Sequence, residues 1–242
     1  EYVTSAGRVG TNSQTSYVLS LMFNLLPDDL RAKSAQFLVN DIRSRNTHLS
    51  TGFLGTPYLC HVLSDNGFVD VAYDLLLQKT FPSWLYPVTQ GATTIWERWD
   101  GQRPDGTFQD KGMNSFNHYA YGAIGDWMYR VSAGLDTKSA GYRHLLLKPH
   151  PSKKLEFSKA TFESAYGTVT SGWERKDGKI LVNLVVPPNA KATVILQTDN
   201  PSNVTEAGQA ISANKNITDI QSENGKMQFE IGSGSYMFEY VE

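Results

Sequence analysis

Cysteine is all but missing from this chain of 242 residues. Cys60 stands alone, which excludes a disulfide or a cysteine-built metal site within this stretch. Its surroundings, Pro57-Tyr58-Leu59-Cys60-His61-Val62-Leu63, form an apolar helical segment that suits a buried, inert thiol better than a nucleophile. Long hydrophobic runs are lacking too. No segment reaches the roughly 18 consecutive apolar residues of a spanning helix, so membrane insertion is not expected. Nor is there an excess of either charge: 22 Lys and Arg stand against 24 Asp and Glu. The clustered basic footprint of a phosphate-backbone binder is absent, and no zinc-finger, Walker or dinucleotide pattern occurs, so nucleic acid is not an expected partner.

What is present changes character along the chain. Up to about Gly141 the apolar period is helical, and after about Lys148 it becomes strand-like, which predicts two domains, 1–145 and 146–242. Thr15 to Leu26 puts Val18, Leu19, Met22, Phe23, Leu25 and Leu26 on a broad apolar face. Pro27-Asp28-Asp29 stops that helix and offers an N-cap to the next, Leu30 to Arg45. Further helices are expected over Thr56 to Ser64 and Phe68 to Lys79, with Asp65-Asn66-Gly67 turning the chain between them. After an aromatic-rich segment, Phe81 to Gly91, and a loop dense in Gly, Pro and Asp, a last helix is expected over Asn117 to Ala133. Gly122 and Gly125 on its consecutive turns predict close approach to another backbone, since each weakens a helix by roughly 1 kcal/mol. In all, about six helices precede the strands. In the second part, Gly167 to Arg175 and Lys179 to Val186 flank Lys176-Asp177-Gly178 as a hairpin. Ala192 to Thr198 and the alternating Tyr236, Phe238 and Tyr240 add strands, which together read as an antiparallel β-sandwich. The wide apolar faces of the helices fit part of a larger helical ring better than a small bundle.

Chemistry concentrates in Thr93-Thr94-Ile95-Trp96-Glu97-Arg98-Trp99-Asp100-Gly101 and just beyond. Glu97, Asp100, Asp105, Asp110 and His118 fall within about 22 residues, among Trp84, Tyr86, Trp96, Trp99, Phe108 and Tyr119. Pyranoses offer apolar C–H faces to aromatic rings and hydroxyls to carboxylates and imidazoles, so the mixture suits carbohydrate recognition. Breaking a glycosidic bond takes two carboxyl groups. On composition alone Glu97 is equally well read as the partner of Arg98 or Arg103 on a surface turn. Asp100, Asp105 and Asp110, in Gly-flanked loops, read as turn formers that bond their own backbone, and His118 as a cap or packing residue.

Trp96-Glu97-Arg98-Trp99-Asp100, followed by Asn114-Ser115-Phe116-Asn117-His118-Tyr119-Ala120-Tyr121-Gly122-Ala123, resembles the C-terminal part of the catalytic domain of glycoside hydrolase family 78, the bacterial and fungal α-L-rhamnosidases. The similarity runs from Thr15–Pro27 through Thr51-Gly52-Phe53-Leu54-Gly55-Thr56 to Tyr142-Arg143 and Leu147-Lys148-Pro149. It weakens beyond about Gln197. The separation of 21 positions between Glu97 and His118 is part of that likeness. The resemblance implies an α+β multidomain fold, a partial (α/α)6 barrel followed by the antiparallel β-sandwich. It also implies inverting hydrolysis of terminal α-L-rhamnosides on a rhamnose-containing glycan or glycoside, with no cofactor and no metal at the site. On the same match Glu97 is the general base that activates water, His118 binds substrate beside it, and Trp96, Trp99 and Trp84 line the pocket. An imidazole in the first turn of a helix suits a neutral hydrogen-bonding role there.

Inversion needs roughly 6.5–9.5 Å between the two carboxyl groups. The resemblance puts the general acid in an early barrel segment that nothing in residues 1–80 matches. The chain is therefore expected to be the C-terminal piece of a longer rhamnosidase, made by processing or truncation, packing against the preceding part and inactive alone. Family grounds favour a periplasmic or extracellular location. Two other readings stay open: a non-catalytic carbohydrate-binding module, with Trp173 as a stacking platform or a core residue, and an (α/α)6-barrel glycosidase acting on another sugar.

Overall fold

The helical part of the chain begins at Ser13, whose hydroxyl accepts the backbone N–H of Ser16 and caps α1, Gln14–Met22. Side chains at helical spacing, Gln14, Tyr17, Val18 and Leu21, turn inward from α1. They meet Ala35, Leu38, Val39 and Ile42 of α2, Asp28–Ser44. Pro27, not an acid, takes the N-cap of α2, and Asp28 and Asp29 lie inside its first turn, where the positive end of the helix favours them. α3, Thr56–Asp65, carries Pro57 in its first turn and ends in a Schellman motif. Gly67 adopts φ +84°, its N–H donates to Ser64 O and that of Phe68 to Leu63 O (3.2 and 2.8 Å), as expected for a left-handed glycine cap. α4, Val69–Leu77, then returns against α3. Burial pushes the Cys60 thiol well above its ordinary range, the signature of a packing residue.

The coordinates form a computed structural model that describes residues 2–198 and 200–241, in two compact units, Glu1–Gly125 and Asp126–Glu242. This division lies upstream of the 145/146 position where the sequence changes period, because two short strands, β1 (Leu135–Thr137) and β2 (His144–Leu147), belong to the sheets of the second unit. No helix among the described residues is long and apolar enough to cross a membrane.

One buried polar residue organises the first unit. The Gln14 side chain, fully covered, donates from Nε2 to Asp41 Oδ2 (2.9 Å) and His48 O (3.2 Å), and its Oε1 accepts the N–H of Ser50 (2.7 Å). A covered amide with every partner supplied ties α1 and α2 to the loop that enters α3. After a short helix, α5 (Leu85–Thr89), residues 90–119 form an irregular segment.

The single helix expected over Asn117–Ala133 is three pieces: a 3₁₀ segment, Ala120–Ala123, the short α6, Ile124–Trp127, and a π-helical turn, Met128–Ser132. Its glycines do not mark a close backbone approach. A Cβ on Gly122 would meet only Ile95 at an ordinary 3.5 Å, and one on Gly125 would meet nothing within 4 Å.

In the second unit β3 (Phe157–Ser164), β4 (Gly167–Lys176), β5 (Lys179–Val186), β6 (Lys191–Gln197), β7 (Thr205–Glu206), β8 (Gln209–Ala210), β9 (Ile217–Glu223), β10 (Lys226–Ile231) and β11 (Gly234–Val241) complete two sheets. Their orders are β1-β2-β6-β10-β9 and β3-β4-β5-β11-β7-β8. The expected hairpin is present: Asp177 and Gly178, both at positive φ, link Lys176 to its partner Lys179, the geometry of a two-residue turn. Tyr236, Phe238 and Tyr240 alternate inward as expected, against Ile180, Val182 and Leu184 on one sheet and Val194, Met227 and Phe229 on the other. The sandwich is not wholly antiparallel. β2 runs parallel to β6, because the chain crosses to the other sheet for β3, β4 and β5 before it returns. Trp173 is core, 2% exposed, its Nε1 donating to Ser132 O (2.8 Å), which removes it as a stacking platform.

Candidate active site

Two segments of the irregular region run side by side in opposite directions. His118 N donates to Ile95 O (2.8 Å) and Glu97 N to Ser115 O (2.9 Å), while the Ser115 N–H returns to Glu97 Oε2 (2.8 Å). The Thr94 hydroxyl adds a bond to Phe116 O. This pairing accounts for the separation of Glu97 and His118: residues 98–114 are the loop that joins the two segments. Arg98 does not pair with Glu97. Its Nε donates to Met113 O (2.8 Å), and its guanidinium lies 3.9 Å from Asp110. The Glu97 carboxylate is thus oriented through Oε2 by a backbone N–H, and Oε1 is uncommitted to any group among the described residues.

The loop is built from local bonds, as its composition predicts. Asp105 Oδ1 accepts both the N–H and the hydroxyl of Thr107 (2.9 and 2.7 Å), and those bonds hold its carboxyl below the usual range. Asp110 Oδ1 accepts the N–H of Gly112 (2.7 Å). At the base, Asn114 Nδ2 donates to Gly101 O (2.7 Å). A Cβ on Gly101 would stand 2.9 Å from Asn114 Oδ1, 3.2 Å from Trp96 and 3.3 Å from Phe116. Gly101→Ala is expected to cost about 1–3 kcal/mol through overpacking, read by urea denaturation.

Glu97 lines a cavity of about 330 Å³ with Phe53, Phe81, Arg98, Trp99, Asp100, Met113 and Tyr121. A second cavity, about 600 Å³, is lined by Phe53, Pro57, His118, Tyr119 and residues 120, 122 and 123. Glu97 and His118 therefore border neighbouring cavities that share Phe53. His118 precedes the 3₁₀ segment and does not occupy a helical turn. The N–H of Ala120 approaches its Nδ1 at 3.4 Å, a long contact in which the ring nitrogen is the acceptor, leaving Nε2 to face a ligand.

Of the tryptophans expected at the substrate, Trp99 borders the Glu97 cavity, stacked on Tyr121 with centroids 3.8 Å apart. Trp84 and Trp96, 8% and 6% exposed, line neither cavity. Trp84 stands edge-on behind Trp99 and donates to Tyr121 O (2.9 Å), and Trp96 packs edge-on against Phe116. Both brace the wall because each ring is spent on its neighbours. Three residues without an expected role take part instead: Ser115, which orients Glu97, and Tyr121 and Phe53 in the walls. Burial pushes the Tyr121 phenol up, opposed by Arg98 and aided by the negative charge of Glu97, so its hydroxyl stays protonated.

Comparison with known proteins shows the family. The family model for the bacterial α-L-rhamnosidase 6 hairpin glycosidase domain matches residues 1–131, and that for the bacterial α-L-rhamnosidase C-terminal domain matches residues 134–210. An α-L-rhamnosidase of Streptomyces avermitilis is 47% identical over 98% of the chain, and one of Formosa agariphila 41% over 95%. The chain spans only 22% and 25% of their lengths. The crystal structure of the Streptomyces enzyme with L-rhamnose superposes with a TM-score of 0.91, over 98% of this chain and 22% of that one. That of the Aspergillus terreus enzyme, 32% identical, gives 0.86 over 100% of this chain and 26% of that one. The family-model match over residues 1–131 and the relatives at 47% and 41% identity place the chain in the bacterial α-L-rhamnosidase six-hairpin glycosidase family.

Proposed function

We propose that the chain forms the C-terminal part of an inverting α-L-rhamnosidase and supplies its general base, Glu97. The observation that carries this reading is the Glu97 carboxylate, held through one oxygen by the Ser115 N–H with the other uncommitted among the described residues, at the edge of a cavity of about 330 Å³. In the reaction a water molecule gives a proton to Glu97 as its oxygen attacks the anomeric carbon. A carboxylic acid protonates the departing glycosidic oxygen, and one free rhamnose of inverted configuration results. The Nε2–H of His118 donates to a sugar hydroxyl, and Trp99 offers the apolar wall, braced by Trp84 and Trp96.

The acid comes from a part of the barrel outside these residues, and the helices support that division. Phe23, Leu25, Leu54, Val88 and Tyr119 are 53%, 67%, 73%, 57% and 90% exposed, apolar surface whose burial against further protein is favourable. Covering it is the role of the preceding part of the same protein. The organisation we propose is a barrel portion followed by a C-terminal β-domain, the change of period near 145/146 falling inside the latter because β1 and β2 already belong to its sheet.

The test is proton NMR of aryl α-L-rhamnoside hydrolysis by the full-length protein, with aryl glucosides and mannosides in parallel. The first-formed sugar should be β-L-rhamnose, with little turnover of the others. A first-formed α-anomer, or preference for another sugar, would overturn the proposal.

A further inference from the structure

We propose that Phe53 is a substrate-contacting specificity residue, the apolar wall that favours a 6-deoxy pyranoside over its 6-hydroxy counterpart. The inference rests on the reading of Glu97 and His118 given above. Phe53 lines both cavities, so a pyranose that reaches from Glu97 to His118 must cross its ring. Within these 242 residues the ring is 46% exposed. It also holds the imidazole. Phe53 and His118 are nearly parallel, 13° apart with centroids at 5.0 Å, and Tyr119 lies parallel to the same imidazole, at 4° and 5.6 Å. The stacked contacts and the Nδ1 bond restrict the direction in which the Nε2–H points.

The loop that carries Phe53 is locked before any ligand arrives. Thr56 N donates to Gly52 O (3.0 Å), the Thr51 and Thr56 hydroxyls are 2.8 Å apart in a buried bond, and the Gln14 amide grips Ser50. A Cβ on Gly55 would stand 3.0 Å from both Thr15 and Thr51, so the turn has no slack. The Glu97 cavity is polar along Glu97, Arg98 and Asp100 and apolar along Phe53, Phe81 and Met113. A sugar whose hydroxyls meet the first set turns its C–H face to the second. A methyl group at C5 sits there without cost, whereas a hydroxymethyl group loses water without gaining a partner.

Aryl α-L-rhamnoside and aryl α-L-mannoside differ only by the C6 hydroxyl, which makes them the probe pair for the full-length protein. Phe53→Ala is expected to lower kcat/KM on the rhamnoside about tenfold to a hundredfold, mainly through KM, and to narrow the rhamnoside-to-mannoside ratio. Phe53→Tyr should keep both near wild type. Wild-type kcat/KM and an unchanged ratio in Phe53→Ala would overturn the proposal. If that variant fails to fold, the ratio measured for Phe53→Gln decides in the same way, since glutamine keeps much of the bulk but not the apolar wall. Glu97→Gln in the same assays separates the two readings: if it stays active the catalytic assignment fails, whereas its loss alongside an unaffected Phe53→Ala removes only the role of Phe53.

Discussion

Glu97→Gln in the full-length protein is expected to lower kcat on aryl α-L-rhamnoside by on the order of 10³- to 10⁴-fold, the upper part of what a general base contributes. The exchange is nearly isosteric. The amide oxygen of glutamine can still accept the Ser115 N–H at the place of Oε2, where the native distance is 2.8 Å, so the segment pairing should survive. What disappears is the uncommitted oxygen that takes the proton from water. Affinity for L-rhamnose, measured calorimetrically, should therefore change little while turnover collapses. Turnover within tenfold of wild type would show that the base lies elsewhere. Ser115→Pro gives the converse case, since it removes the N–H and leaves the carboxylate without its orienting donor.

The site was partly legible in the sequence, for a physical reason. Glu97, His118 and Trp99 sit in motifs whose spacing records a local pairing, Ile95 with His118 and Glu97 with Ser115, and a short loop carries such a signal intact. The turn acids of that loop, Asp105 and Asp110, were legible for the same reason. Phe53 was not, because its position opposite His118 depends on the buried bonds of Gln14, a polar residue on a helix face that a hydrophobic period cannot distinguish from a solvated one. Trp84 and Trp96, which the resemblance implies line the pocket, are largely buried with their rings packed on Trp99, Tyr121 and Phe116, a placement that no local pattern announces. In the β-unit β5 and β11, which alternate, and β4, joined to β5 by a two-residue turn, could be read directly. The strand β9 could not: after Ile217 its residues are exposed, so it lies at a sheet edge with no apolar face to announce it. The parallel pairing of β2 with β6 joins strands more than 40 residues apart, and nothing local encodes it.

Glycine separates what sequence and structure each disclose, and the sharpest stability prediction follows from it. Gly122 and Gly125 drew notice because they interrupt a helical period, yet the close approach is at Gly134. There φ is +76°, and a Cβ would stand 2.0 Å from Pro149 N and 2.2 Å from Lys148 C, distances that no side-chain rotation can relieve. The surrounding backbone has little freedom to yield. Lys148 N donates to Gly134 O (2.8 Å), Ser171 Oγ to Ala133 O (2.7 Å) and Trp173 Nε1 to Ser132 O (2.8 Å), so moving residues 132–134 would break contacts with β4 as well. Gly134→Ala is expected to destabilise the second unit by about 4 kcal/mol or more, at the extreme of single substitutions, and to lower its unfolding temperature by about 10 °C or more. Gly125→Ala is the matched control: with nothing within 4 Å of its Cβ and a helical backbone, it should be neutral or stabilise by up to about 1 kcal/mol. Calorimetric unfolding of both variants in the full-length protein distinguishes the two sites. Equal unfolding temperatures would mean that the turn at Gly134 can open far enough to admit a methyl group, and that the bonds anchoring residues 132 and 133 to β4 are weaker than their geometry implies.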